Sequence, residues 1–254
     1  MSRASRVCLA TLVLIIVAWA LLPAIPQDQT YHGFADQRSL LGVPNAADVL
    51  SNISFALVGV FGAVGLVSHR RERYSPATEA GLWCTTLGLV CVAVGSAWFH
   101  IHPTDATLFW DRLPMTLVFA GILGAAIAQR VGNSEGRIAV LLLVPLGIAS
   151  VVYWKMTGDL SPYATLQFGG VGGLLALLAL TRRSTDPFPW RWVVAWYVFA
   201  KIAEHLDHQI WEATHGVIAG HAIKHLLAAT AGAAALWPCI IANSAKQGAS
   251  PARP

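Results

Sequence analysis

Apolar residues fall in eight long runs, near positions 7–25, 49–68, 79–100, 113–129, 137–154, 164–181, 190–208 and 219–241, separated by short polar stretches. A helix needs about 20 residues to cross the hydrocarbon of a bilayer, and the runs reach or approach that length. Only helices or closed barrels satisfy their backbone groups in lipid, and runs this long and unalternating predict helices. The expected fold is therefore all-α: a polytopic transmembrane bundle of eight spans in a single membrane domain covering residues 1–254. The sixth run carries Gly169, Gly170, Gly172 and Gly173, which predicts close helix packing. The seventh turns polar after Lys201, so its outer half is expected to face protein or water.

The ends of the chain need separate treatment. The first run follows Met-Ser-Arg-Ala-Ser-Arg, which invites a signal-peptide reading. Its apolar stretch is long for that role and Ala18-Trp19-Ala20 is a poor cleavage site, so residues 1–25 read as an additional retained span or signal anchor. Residues 243–254 read as a short polar cytoplasmic tail.

Charge adds an orientation. Arg3, Arg6, Arg70, Arg71, Arg73, Arg130, Arg137, Arg182, Arg183, Arg191, Lys246 and Arg253 all fall on one side of an eight-span chain. The opposite loops hold Asp28, Asp36, Asp48, Asp105, Asp111 and Asp159 with few basic residues. The positive-inside rule then places both termini in the cytoplasm. Trp98, Trp110, Trp154 and Trp211 are expected in the outer aromatic belt, and Trp190, Trp192 and Trp237 in the inner one.

The composition agrees: 56% of residues are hydrophobic and 12% charged, with a mean hydropathy of +0.57. The net charge of +4 is scattered through short loops, so it speaks to topology and offers nucleic acid no basic patch. Cys8, Cys84, Cys91 and Cys239 lie inside apolar runs, without a Cys-x-x-Cys pair, and read as small buried hydrophobes.

Under this topology most of the nine histidines gather at the outer face. His221-Ala-Ile-Lys-His225 places two imidazoles four residues apart on one helical face, a separation that one metal ion can bridge and that also serves packing. Ser96-Ala-Trp-Phe-His100 puts a hydroxyl and an imidazole on one face of the third span. Three imidazoles with an open fourth position form a catalytic zinc arrangement. Asp111, in Trp110-Asp111-Arg112-Leu113-Pro114-Met115, reads as a helix N-cap at the start of the fourth span or as a functional carboxylate.

These residues in this order resemble the alkaline ceramidase family, part of a superfamily of seven-helix membrane proteins that includes the adiponectin and progestin receptors. The matching positions are Ser96, His100, Asp111 (eleven residues after that histidine), His221 and His225. Phe34-Ala-Asp-Gln-Arg38 and Val43-Pro-Asn-Ala-Ala-Asp-Val-Leu-Ser-Asn52 are similar to the segment leading into that family's first core helix. The resemblance covers about residues 31–241, so the first span is additional to a seven-helix core. It implies hydrolysis of the amide bond of ceramide or a related N-acyl membrane lipid. Zn2+ would sit on His100, His221 and His225, with Asp111 as general base and Ser96 as oxyanion donor, toward the periplasmic or lumenal face. Animal members also hold Ca2+ before the first core helix. Asp36, Asn45 and Asp48 stand near the corresponding places, as calcium ligands or as turn and capping residues around Pro44. Lys201, Glu204, His205, Asp207 and His208 are open between partners of the zinc ligands, a proton path and a solvated helix end. Rival readings are a zinc-containing receptor of the same superfamily without turnover, and an ion-coupled carrier. The oligomeric state is left open.

Overall fold

The computed structural model describes residues 3–21, 23–68, 74–181 and 187–247. Arg70, Arg71, Arg73, Arg182, Arg183 and Arg253, on which part of the charge asymmetry rests, lie outside the described residues, as does His69. The helices are α1 (Arg3–Leu21), α2 (Ala46–Ser51), α3 (Ile53–Ser68), α4 (Pro76–Ile101), α5 (Asp105–Arg130), α6 (Asn133–Thr157), α7 (Ser161–Leu180), α8 (Trp190–His205), α9 (Asp207–Ala213) and α10 (Gly220–Gln247). A 3-10 turn spans Gln29–His32, and two isolated bridges are the only extended pairings among the described residues.

Six helical segments are long and apolar enough to cross a membrane: Ala46–Ser68, Pro76–Ile101, Asp105–Arg130, Asn133–Thr157, Ser161–Leu180 and Gly220–Ile241. The chain is thus a helical bundle with the character of a multi-pass membrane protein. The seventh expected span is α8, whose 16 residues end in Lys201, Glu204 and His205. The tail begins later than the sequence predicts, because α10 continues to Gln247.

Helices α3, α4, α5, α6, α7, α8 and α10 pack in that order and close on one another as a ring of seven, while α1 lies outside it against α7. One apolar core fills the ring, built on Phe55, Leu82, Leu89, Leu174, Trp190 and Leu236. A second, with Phe34, Phe99, Leu108 and Trp154, lies around the ends of α4 and α5. Trp98, Trp110, Trp192 and Trp237 are exposed as the belts require. Trp154 and Trp190 are 3% and 1% exposed and belong to these cores instead. The glycines of α7 divide: Gly170 packs closely, a Cβ there standing 2.9 Å from Leu123 of α5, whereas Gly172 has open space beside it.

Helix α5 starts earlier than the apolar pattern indicates. Thr104 and Thr107 form a reciprocal capping box, which satisfies the first free N–H groups and lets the helix begin at Asp105. Asp111 is therefore interior to the helix, not its N-cap, and Pro114 is interior as well. Proline has no N–H to give the carbonyl four residues back, which is that of Trp110. This carbonyl faces Gly95 of α4, where a Cβ would stand 2.0 Å from the Trp110 oxygen. Gly95 and Pro114 together let α4 and α5 meet backbone to backbone, beside Ser96 and Asp111.

Candidate metal centre

Three histidines converge at one end of the ring. His100 comes from the last turn of α4, and His221 and His225 from the first turns of α10. They are 0%, 4% and 1% exposed. One nitrogen from each lies within 4.8 Å of the others, the only such group of three histidine, cysteine or acidic side chains among the described residues. His100 Nε2 and His225 Nε2 are 3.3 Å apart. Tetrahedral zinc with Zn–N bonds of about 2.0–2.1 Å requires ligand nitrogens about 3.3–3.4 Å apart, so this pair fits a common ion.

The surroundings fix which nitrogens face the centre. His225 Nδ1 lies 2.7 Å from Ser51 Oγ, and that hydroxyl donates to the Asp48 carbonyl at 2.9 Å. With its proton committed, Ser51 Oγ accepts, so Nδ1 carries the ring proton and Nε2 keeps its lone pair for a metal. The start of α10 is pinned by Asp207: Oδ1 accepts from His221 N at 2.7 Å and Oδ2 from Ala35 N at 3.0 Å. The α4 end is held by Asn45, whose Nδ2 donates to the His100 carbonyl at 2.8 Å. His100 Nδ1 is buried without a hydrogen-bond partner.

Residues 29–38 close the centre from outside. The Phe34 ring lies 4.6 Å from His100 and 4.9 Å from His221. Tyr31 OH donates to Glu204 at 3.0 Å, and burial pushes its phenol above the usual value. His32 and Gln29 reach Asp105 at 3.0 and 3.1 Å. His102, His205, His208 and His215 are exposed and stay outside the centre.

Asp111 is 4% exposed and accepts a hydrogen bond from Ser96, which is 2% exposed. Arg112 next to it is 6% exposed, stacks over Trp154 at 4.5 Å, and has Nη1 buried and unpaired. Ser96, Asp111 and His225 border a cavity of about 930 Å³, counting its mouth, whose remaining wall is largely apolar. Gln167 and Tyr197 join α7 to α8 across its wall by a 2.7 Å hydrogen bond.

The three calcium candidates have separate surroundings. Asp36 is clasped by Arg38 through 2.9 and 2.6 Å bonds, and the guanidinium holds its carboxyl below the usual range. Asn45 secures His100 as described. Asp48 is fully buried, with neither carboxylate oxygen hydrogen-bonded.

Of the polar residues around the seventh run, Asp207 positions α10. Glu204 pairs with Lys201 and with Lys224, the latter at 3.1 Å. Lys224 Nζ also lies 3.0 Å from His221 Nε2. Sequence reasoning missed Ser51, Phe34, Tyr31 and Lys224. Ser51 and Phe34 had one visible signal, their places in the segments matched to the core entrance; Tyr31 and Lys224 come into contact only through the fold. No known family matches the chain, and no curated protein does.

Proposed function

We propose that this chain is a zinc-dependent membrane amidohydrolase of the alkaline ceramidase superfamily, cleaving ceramide or a related N-acyl lipid to a fatty acid and an amine. The supporting observation is the buried triad of His100, His221 and His225 beside Asp111 and Ser96, at the head of an apolar cavity. The reading includes eight spans, a seven-helix core with α1 added, cytoplasmic termini and a centre toward the outer face. Zinc on the triad would supply Lewis acidity, bringing the pKa of water toward 7 and polarising the amide carbonyl.

The protein's own groups divide the remaining work. Asp111 accepts a proton from water as the water oxygen adds to the amide carbon. The serine hydroxyl has a single proton, which in the resting site goes to Asp111. Once Asp111 is protonated that bond is no longer required of Ser96, and its hydroxyl can turn to the developing oxyanion. Asp111 then delivers its proton to the nitrogen as the C–N bond breaks. The apolar wall takes the acyl chain and excludes water from it.

Elemental analysis of detergent-purified protein tests the centre. About one zinc per chain is expected from the ligand set, with loss in His225→Ala. Turnover of N-acyl lipids by the wild type, absent in Asp111→Asn that still holds zinc, is the expected companion result. A folded wild type that takes up no zinc on supplementation overturns the reading.

A further inference from the structure

The cavity head holds a charge that neither an acyl chain nor an uncharged amino alcohol calls for. Lys224 borders the cavity together with Ser96, Asp111 and His225. Its side chain is 14% exposed. A buried ammonium costs several kcal/mol unless it is compensated. Its contacts are Glu204 Oε1 at 3.1 Å and His221 Nε2 at 3.0 Å. Glu204 is shared, because Lys201 pairs with it from one turn away and Tyr31 OH donates to it at 3.0 Å. Lys201 and Lys224 both attend Glu204, and the Asp111 carboxylate at the same cavity head attracts Lys224 as well. An ammonium has three N–H donors; Glu204 takes one, and a His221 that gives its one lone pair to a metal cannot accept another, so two are unused.

From this arrangement we infer that Lys224 is the carboxylate-binding residue of the cavity, and that the preferred substrates are N-acyl-α-amino acids with a long acyl chain. The inference rests on the amidase reading and narrows its substrate class. Lys224 is one hydrogen bond from His221 and adjacent in sequence to His225, so an anion it holds lies only a few bonds from the scissile carbonyl. A carboxylate on the carbon next to the amide nitrogen meets that limit, whereas a phosphodiester headgroup places its charge farther along. In this role Lys224 is a specificity-determining residue. Glu204 holds its ammonium in place, and the substrate carboxylate accepts from an N–H that Glu204 leaves free.

The test uses two amphiphiles with the same chain, N-dodecanoylglycine and N-dodecanoylethanolamine, which differ by a carboxylate in place of a hydroxymethyl group. Calorimetric binding is measured on zinc-loaded full-length Asp111→Asn protein, so that neither compound is consumed. The glycine conjugate is expected to bind about tenfold or more tightly, the worth of one charge-assisted hydrogen bond. Adding Lys224→Gln should bring the ratio toward one, while Lys224→Arg should keep most of it; Glu204 retains Lys201 in both. Equal binding of the two compounds to the parent overturns the inference. So does a preference that survives Lys224→Gln, including one that survives because both compounds weaken alike. If protein with Asp111 intact hydrolyses neither compound, the amidase reading fails, and the binding ratio still decides the carboxylate site.

Discussion

Ser51→Ala isolates the contribution of a group that touches no substrate. The Ser51 hydroxyl is the acceptor for His225 Nδ1 at 2.7 Å, in a site where His225 is 1% exposed. Removing it takes the 2.7 Å acceptor from a buried N–H and leaves only the Asp48 backbone beside it, at about 1–3 kcal/mol. The imidazole can escape that cost by moving its proton to Nε2, but this blocks the lone pair a metal needs. Either way the loss appears in metal affinity, about 5- to 150-fold at 1.4 kcal/mol per decade. The second bond of the hydroxyl, to the Asp48 carbonyl, is duplicated by Asn52 Nδ2 at 2.8 Å, so α2 should keep its form. Zinc dissociation constants from chelator competition provide the assay, with Ser51→Thr as the variant that keeps a hydroxyl. Ser54→Ala is the control, because its hydroxyl serves only the Ser51 carbonyl among the bonds described. A Ser51→Ala protein within about twofold of wild type, or an equal loss in Ser54→Ala, would refute the tautomer argument that rests on these distances.

Two further outcomes follow from the same geometry. Gly95→Ala places a methyl 2.0 Å from the Trp110 oxygen, so α4 and α5 must part; thermal unfolding in detergent should show a loss of about 1–3 kcal/mol, with turnover falling as Ser96 leaves Asp111. Asp36 is held below the usual carboxylate range by Arg38, so its stabilisation is fully present above the unfolded pKa of about 4 and is lost as pH falls through the folded value. Unfolding temperatures between pH 5 and 3 should therefore drop more steeply for wild type than for Asp36→Asn, and parallel curves would show that the clasp contributes nothing.

The helices were legible because lipid imposes a single length scale and a single backbone solution on the chain. Their places agree with the apolar runs throughout the ring. The misreadings arise where local chemistry overrides that pattern. Apolar periodicity placed the start of the fourth span near residue 113, yet the capping pair Thr104 and Thr107 starts α5 eight residues sooner. Trp154 was assigned to the headgroup belt from its position near a helix end. It is buried instead because Arg112, also interior, needs an aromatic face at 4.5 Å. The glycines of α7 were read as packing residues, which holds at Gly170 against Leu123; a missing side chain creates contact only if a neighbour fills the space, and beside Gly172 none does.

The metal candidates were legible for a different reason. His221 and His225 share a face by helical period alone, and His100 required only that α4 and α10 end at the same depth. What the sequence could not display is how the loop between α1 and α2 becomes part of the centre. Phe34 packs at a steep angle against two of the imidazoles, Ala35 N meets the carboxylate that also caps α10, and Tyr31 reaches the Glu204 paired with Lys224. These contacts join residues roughly 170 or more positions apart in the case of Asp207 and Glu204, and no periodicity reports them. Because the same short segment touches ligands, capping carboxylate and ion pair at once, displacing it would disturb all three together. The fold therefore makes the centre's outer wall and its ligand geometry a single cooperative unit.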